Sequence, residues 1–267
     1  MTDFAVARGP RRIVCLTEEP TEILYCLGEG HRIVGISAYT VRPPEARRDK
    51  PVVSAFIGGS VRKIAALKPD LVVGFSDVQA NLARKLIAAN LPVLIFNQRS
   101  IQEILDVIVH LGALVHKRDQ ARELVATYIQ RLEDTQRRAA RRTHRPRTYF
   151  EEWDDPLICG IRWVSELVEI AGGIDIFAAR ARAPGAAART LTVDEIVQKA
   201  PEVMLASWCG KPFDYQAVLD RPGMNTVPAV RAGRVHELPP EIILQPGPAC
   251  LTDGVHRLEE LLFPGEP

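Results

Sequence analysis

The sequence predicts an α/β fold of two Rossmann-like lobes with parallel sheets, joined by a long rigid interlobe helix, with a ligand cleft between the lobes. Three observations predict it. Short β-branched runs alternate with amphipathic helical stretches in the first and last parts of the chain, a run of strong helix formers separates these parts, and one helix–proline–strand pattern occurs twice. We expect an N-terminal lobe over residues 1–99, a helical segment over 100–146 and a C-terminal lobe over 147–267.

The first lobe alternates strands and helices. Thr17 or Pro20 starts the first helix, Gly28 and Gly30 end it, and Pro69 ends a later one. The predicted strands are 12–16, 32–36, 71–74 and 93–96, and the predicted helices are 17–27, 61–67 and 81–89. Because such sheets bind ligands beyond the carboxyl ends of their strands, we expect the ligand contacts in the loops that follow them.

The middle of the chain, residues 101–142, predicts two helices, the second of them long, because apolar residues recur at helical spacing. Arg137, Arg138, Arg141 and Arg142 follow the helical pattern beside Glu133 and Asp134, and we interpret them as a solvated helix face. Pro146 ends this region, and a strand over 148–151 begins the second lobe.

An internal sequence repeat, called an internal echo, indicates that the two lobes are related. In residues 64–73 a helix ends at Pro69, Asp70 follows, and then a buried strand; residues 196–205 repeat the pattern with Pro201 and Glu202. A second echo pairs residues 91–93 with 227–229. The order and spacing favour duplication, and chance similarity of common αβ connections is the alternative.

Composition excludes several classes of function. A formal net charge of +1 gives no basic footprint for nucleic acid, and no stretch approaches the ~18 apolar residues of a membrane span. Residues 1–12 lack the apolar centre of a secretory signal. The five cysteines are odd in number and form no C-x-x-C pair, so we expect buried free thiols, which are typical of the cytoplasm.

Common catalytic motifs are missing from the sequence, including the phosphate-binding loop, the dinucleotide fingerprint, the H-E-x-x-H zinc motif and the nucleophile elbow. We interpret Gly58-Gly59-Ser60 as a tight turn before a helix. His236 alone among the six histidines falls on a strand near the expected cleft. We therefore expect no catalytic residue and no metal ligand.

Aromatic residues gather where strands are predicted to end, which favours a ligand-lining role over a core role. The alternative is that they anchor loops to the core. The aromatic ligand contacts that we expect are Tyr39, Phe56, Phe75, Trp153, Trp163 and Trp208.

The run 150–156 contains four carboxylates, Glu151, Glu152, Asp154 and Asp155, which repel one another and need donors, caps or a ligand. Three interpretations stay open. Asp154 or Asp155 caps a helix that begins near Gly160, or Glu152 and Trp153 contact a ligand, or the carboxylates serve a metal-dependent hydrolase.

The segment 242–248 predicts a strand or turn that leads into a rigid Pro/Gly loop before a final helix over 251–262. Gln245 lies in this loop and completes the set of expected ligand contacts.

Several motifs resemble the helical-backbone periplasmic binding proteins, which serve ABC importers of vitamin B12, haem and iron siderophores. The resemblance covers about residues 11–262 and is greatest to the cobalamin-binding branch. The motifs are R-I-V-C-L at 12–16, T-E-I-L at 21–24, G-I-S-A-Y at 35–39, E-E-W-D-D-P at 151–156, S-W-C-G-K at 207–211 and I-L-Q-P-G-P at 243–248.

The resemblance implies reversible binding of a corrinoid in the cleft, no catalytic cofactor, a monomer and an ABC importer permease as partner, with Tyr39, Phe56 and Phe75 as first-lobe contacts. Haem or a ferric siderophore is the alternative ligand. The acidic residues that dock such proteins on a permease are not matched, because Arg62 and the region of Gly223 occupy those positions. The resemblance implies the periplasm, whereas the missing signal and the odd cysteine number favour the cytoplasm.

Overall fold

The computed structural model describes residues 9–265, so residues 1–8, on which most of the expectation about a signal rests, lie outside the described residues. The chain divides into two compact units. Unit 1 contains the residues up to Gln98 and Gln102–Thr127, and unit 2 contains Arg99–Ile101 and the chain from Tyr128. The boundary at Thr127 falls inside a helix of 22 residues, which starts in unit 1 and ends in unit 2.

Unit 1 contains a five-stranded, fully parallel sheet in the order β3-β2-β1-β4-β5. Its strands are β1 (Ile13–Cys15), β2 (Ile33–Ser37), β3 (Val52–Ser54), β4 (Leu71–Phe75) and β5 (Val93–Phe96). The helices up to the unit boundary are α1 (Glu18–Cys26), α2 (Pro44–Asp49), α3 (Val61–Ala66), α4 (Ala80–Ala88), α5 (Ile101–Leu114) and α6 (Arg118–Ala139). The core packs β1 and β4 against α3 and α4 through Val14, Val72, Ile64 and Leu86.

Unit 2 contains a sheet in the order β10-β9-β6-β7, in which β7 is antiparallel to β6 and β8 pairs parallel with the start of β6. Its strands are β6 (Arg147–Asp154), β7 (Leu157–Cys159), β8 (Ile174–Asp175), β9 (Val203–Ala206) and β10 (Val235–Glu237). Its helices are α7 (Arg162–Ile170), α8 (Ala178–Ala181), α9 (Val193–Lys199), α10 (Tyr215–Leu219), α11 (Pro228–Arg231), α12 (Pro240–Ile243) and α13 (Val255–Leu262). The predicted α/β class with two mostly parallel sheets is confirmed.

The repeated helix–proline–strand pattern corresponds to the same hydrogen-bonding arrangement in both units. The Asp70 carboxylate accepts hydrogen bonds from the backbone N–H groups of Arg11 and Arg12, each at 2.8 Å, just before β1. The Glu202 carboxylate likewise accepts the backbone N–H of Arg147 at 2.8 Å at the start of β6. In each unit the acidic residue before one central strand therefore fixes the start of the strand beside it.

Most predicted elements of unit 1 are found within one or two residues of the expected bounds, but β3 and α2 were not predicted. The Gly58-Gly59-Ser60 prediction is confirmed, since Ser60 caps α3 by accepting the N–H of Lys63 at 3.3 Å. The segment that contains Gln245 was wrongly expected to begin as a strand or turn, because residues 240–243 form α12. The final helix begins with a π turn over Cys250–Gly254.

Two interpretations of charged residues were wrong. The N-cap of α7 is Ile161, with no side-chain cap, so neither Asp154 nor Asp155 caps it. Arg137 pairs with Glu133 and Asp134 on the surface as expected, but Arg142 is largely buried against Glu259 and is not part of a solvated face.

The cysteine prediction was right for three residues and wrong for two. None of the five cysteines forms a disulfide; Cys15, Cys159 and Cys250 are buried, whereas Cys26 and Cys209 are exposed. Among residues 9–265, no helix combines the length and the apolar character needed to cross a membrane.

Candidate functional site

The carboxyl ends of the unit 1 strands are tied together by one buried amide, that of Gln79. Its Nε2 donates to the carbonyl oxygens of Phe56 at 2.9 Å and Leu16 at 3.4 Å, and its Oε1 accepts the N–H of Phe75 at 3.1 Å. Gln79 lies in a short 3₁₀ turn after β4 and has no exposed surface. It therefore positions the loops that follow β1, β3 and β4.

Apolar side chains are exposed in the loops at this edge of the unit 1 sheet. Tyr39, just after β2, is 44% exposed, and its N–H donates to Ser37 Oγ at 3.1 Å. Phe56, just after β3, is half-buried, and the adjacent Ile57 is 71% exposed. Val78, after β4, is also exposed. This edge of unit 1 thus presents apolar surface supported by a polar hydrogen-bond network.

Phe75 differs from the other two aromatic residues predicted in unit 1. It is the last residue of β4, not a loop residue, and is only 4% exposed. The side chain of Gln79 hydrogen-bonds to the backbone of both Phe75 and Phe56, so one amide links these two predicted residues. The role of Phe75 as a ligand contact stays a prediction.

Two buried carboxylates at the carboxyl end of β1 were not predicted as site residues. Glu18 accepts a hydrogen bond from Ser37 Oγ at 2.7 Å, and Glu19 accepts one from Thr17 Oγ1 at 2.8 Å. Burial raises the pKa of Glu18, and burial together with the charge of Glu18 raises the pKa of Glu19 to about 8. Adjacent acidic residues directly after a central strand were the sequence signal that could have identified them.

In unit 2 three of the four carboxylates of the acidic run 151–155 pair with cations, which offsets their mutual repulsion. Glu151 is fully buried and accepts hydrogen bonds from Arg221 at 2.5 and 2.9 Å, from Trp208 Nε1 at 3.1 Å and from Tyr149 Oη at 3.1 Å. Burial raises the pKa of Tyr149 well above its ordinary value, so its phenol stays a donor. Four donated hydrogen bonds make Glu151 a structural anion.

Glu152 and Asp154 have cationic partners of their own. Glu152 forms a two-point ion pair with Arg189 at 2.6 and 2.9 Å, and Arg189 is almost fully buried. Asp154 pairs with Lys211. Because these carboxylates are engaged by arginine and lysine, the arrangement does not present a free general base or a cluster of metal ligands.

Two of the predicted tryptophans, Trp153 and Trp208, share a cation. The Lys211 ammonium lies 4.6 Å from the centroid of the Trp153 ring and 4.8 Å from that of Trp208. Trp153 lies near the end of β6 and Trp208 follows β9, the neighbouring strand. Trp208, 3% exposed, also packs edge-on against Phe213 at 4.9 Å. The carboxyl end of the unit 2 sheet therefore has two indoles and one flexible cation.

Trp163 and Gln245 form a second group. Trp163 lies on α7, not after a strand, is 2% exposed, and donates its Nε1–H to the carbonyl of Ile243 at 2.9 Å. It thus anchors the segment that leads to Gln245. Among the described residues, nothing donates to the buried Oε1 of Gln245, and the buried hydroxyl of Ser207, next to Trp208, is likewise without a partner.

Metal ligation finds little support in the described residues, which contain no group of three or more His, Cys, Asp or Glu side chains placed to hold an ion. His236 lies on β10 as predicted. Burial, with the nearby charges of Arg234 and Arg257, lowers the pKa of His236. The two residues at the positions where docking acids were expected are both exposed: Arg62 on α3, and Gly223 in a left-handed turn with φ of 79°.

Sequence reasoning missed the cations Arg189, Lys211 and Arg221 and the amide of Gln79. Arg189 and Arg221 are far along the chain from the carboxylates they contact, by 37 and 70 positions, and Gln79 reaches Leu16 across 63 positions. A cluster of acidic residues in a buried strand indicates that cations must exist, but not where they are in the sequence.

A family model described as periplasmic binding protein matches residues 13–242 of the chain. An uncharacterized ABC transporter substrate-binding lipoprotein of Bacillus subtilis is 27% identical over 271 residues, covering 98% of this chain and 83% of the relative. A vitamin B12-binding protein of Vibrio campbellii is 28% identical over 211 residues, covering 77% and 74%.

Solved structures share the fold. A periplasmic heme-binding protein from Pseudomonas aeruginosa matches with a TM-score of 0.83 at 19% identity, covering 97% of this chain and 94% of that one. The periplasmic vitamin B12 binding protein of Vibrio cholerae matches with a TM-score of 0.73 at 24% identity, covering 95% and 97%. All four similar proteins are named as binding proteins and none as an enzyme. This chain belongs to the periplasmic binding protein family.

Proposed function

We propose that this protein reversibly binds a corrinoid as the solute-binding component of an ABC-type importer. The observation that carries the proposal is the half-buried indole of Trp153 at the carboxyl end of β6, with the Lys211 ammonium between its ring and that of the buried Trp208. Both indole N–H groups already have protein acceptors, so the rings are held in place, and the partly exposed Trp153 ring can stack on a ligand while Trp208 supports the site from the core.

A corrin ring suits the chemistry of both units. It is broad and mostly apolar, and it carries amide arms that donate and accept hydrogen bonds. Tyr39 and Phe56 of unit 1 offer aromatic surface for the ring. The unpartnered Oε1 of Gln245 and hydroxyl of Ser207 offer hydrogen-bond acceptors for amide N–H groups, and a buried acceptor left unpaired costs about 1–3 kcal/mol.

The relatives support this ligand class. The Vibrio campbellii protein, 28% identical, is named as vitamin B12-binding, and the Bacillus subtilis protein, 27% identical, as an ABC transporter substrate-binding lipoprotein. Haem or a ferric siderophore is the second candidate. The exposed phenol of Tyr39 favours it, because phenolate oxygen is a known ligand of haem iron.

Isothermal titration calorimetry with cyanocobalamin, hemin and a ferric hydroxamate siderophore tests the proposal. We expect the tightest binding with cyanocobalamin, and hemin as the tightest ligand would favour the alternative. Trp153→Ala should weaken cyanocobalamin binding about tenfold or more, because a stacked aromatic contributes ~1–3 kcal/mol. Tyr215→Ala, a change at another exposed ring of unit 2, is the matched control and should have no effect. Absence of heat with all three ligands would reject the proposal.

A further inference from the structure

A second concave site lies in unit 2, at the end of the sheet where β6 and β10 begin. Its volume is about 730 Å³. The residues before β6 and β10, together with the end of α13, form its walls. Trp153 and Trp208 lie at the other end of these strands, so within unit 2 the second site is distinct from the candidate site described above.

The walls are strongly basic. Four arginines line the cavity, Arg138, Arg141, Arg142 and Arg234, together with His144, and none of its described lining residues is acidic. Glu259 contacts both Arg138 and Arg142, so one carboxylate is shared by two guanidinium groups. The cavity therefore has an excess of positive charge.

Several of these guanidinium groups are held in place by the protein. Arg234 Nη2 donates to the carbonyls of Leu261 and Leu262, at 3.2 and 2.8 Å, at the end of α13. Arg142 stacks on the Phe263 ring at 3.7 Å and bonds to Glu259. Arg138 binds Glu259 at 2.9 and 2.7 Å. Donors fixed in this way lose little entropy when an anion binds.

The donors of Arg234 are only partly used. Its hydrogen bonds to Leu261 and Leu262 both come from Nη2, which leaves Nε and Nη1 for another acceptor. Arg141 is exposed, and no described side chain pairs with it. Guanidinium N–H groups match the oxygens of a phosphoryl group and bind them with charge-assisted hydrogen bonds.

We propose that this cavity binds a small phosphorylated molecule with two or more phosphoryl groups and an apolar or ring-bearing part, which is the chemistry of a nucleotide. Four arginines exceed the need of a single phosphate. The volume is in the range of about 300–1,000 Å³ that is usual for drug-sized ligands. Leu262 and Phe263 supply an apolar wall. The concave shape favours a small molecule over the surface of an acidic protein.

Calorimetry with pyrophosphate, ATP and adenosine tests the proposal on the intact protein. We expect pyrophosphate and ATP to bind, adenosine not to bind, and both affinities to fall as salt rises. Tighter binding of ATP than of pyrophosphate would support a contribution from the apolar wall. Equal affinities would support a site for the phosphoryl groups alone.

Two variants four residues apart, Arg137 in the last turn of α6 and Arg141 just after it, separate a specific site from general surface charge. Arg141→Ala removes a lining arginine, whereas Arg137→Ala removes an arginine that pairs with Glu133 and Asp134 and does not line the cavity. Arg141→Ala should weaken pyrophosphate binding about tenfold or more, and Arg137→Ala less than twofold. Arg234→Lys keeps the positive charge but removes the planar guanidinium with its several fixed donors, and should also weaken pyrophosphate binding.

Equal losses in Arg137→Ala and Arg141→Ala would overturn the proposal, because they would indicate binding to surface charge alone. Absence of binding by the unmodified protein at millimolar pyrophosphate and ATP would also overturn it. Binding of an acidic protein but of neither pyrophosphate nor ATP would overturn the proposal as well.

Discussion

Glu151→Gln is the change with the largest effect on stability that we expect in unit 2. Gln has nearly the shape of Glu, but its neutral amide leaves the guanidinium of Arg221 without an anion in a largely buried position. Its NH₂ group also replaces one of the two oxygens that accept from Arg221, Trp208 and Tyr149. Removing one partner of a buried ion pair costs ~3–5 kcal/mol. At about 2–4 °C per kcal/mol for a domain of this size, Tm should fall by about 6–20 °C.

Tryptophan fluorescence during thermal and urea unfolding measures this effect in the right unit, because Trp153, Trp163 and Trp208 all lie in unit 2. Glu260→Gln is the control. It makes the same chemical change at an exposed carboxylate of unit 2, where an ion pair is worth ~0–1 kcal/mol.

A double variant tests the cause of the destabilisation. Removing both charges with Glu151→Gln and Arg221→Met should destabilise less than the sum of the two single changes, since each single change leaves one charge of this pair unpaired and the double variant leaves neither. A loss below about 1 kcal/mol in Glu151→Gln, or strictly additive losses in the double variant, would refute the account of Glu151 as a structural anion.

Three further predictions concern other residues. Burial and the neighbouring carboxylate raise the pKa of Glu19 from 4.5 to about 8, so the folded chain keeps a proton that the unfolded chain releases. Stability should therefore fall as the pH rises from about 4.5 towards 8, and calorimetric unfolding of Glu19→Gln should show a smaller fall over this range. Lys211→Ala should tighten cyanocobalamin binding about twofold to fivefold in titration calorimetry, because the lysine lies over the partly exposed Trp153 ring; weaker binding would indicate that it contacts the ligand instead. Asp70→Ala and Glu202→Ala should each cost about 1–3 kcal/mol and speed hydrogen exchange at the amides they accept, and unchanged exchange would contradict their role.

The alternation of strands and helices could be predicted from the sequence because it depends on local patterns. The bounds of β5 and the break between α5 and α6 follow from apolar spacing and from the residues that end helices. The short strand β3 was missed, since a run of three residues is too brief to show a period. Helix α12 was missed for a similar reason, because two prolines suggested a loop although proline also starts helices.

The candidate site could be predicted less completely than the fold. Tyr39 was placed correctly after a predicted strand, because position after a strand is a local property, whereas Phe56 follows β3, which was not predicted. The burial of Phe75, Trp163 and Trp208 was not predicted, since it depends on helices and strands that are distant in the sequence. The partners of the acidic run were missed for the same reason, as Arg221 and Glu151 are 70 positions apart.

The hydrogen bonds of Gln79 are made to main-chain atoms of Leu16, Phe56 and Phe75, and therefore do not depend on which side chains those positions carry. Exchange of Phe56 for another residue would leave the course of its loop unchanged. Ligand preference in unit 1 could thus be altered by evolution or by engineering one side chain at a time, without the backbone rearrangement that usually accompanies changes in a binding loop.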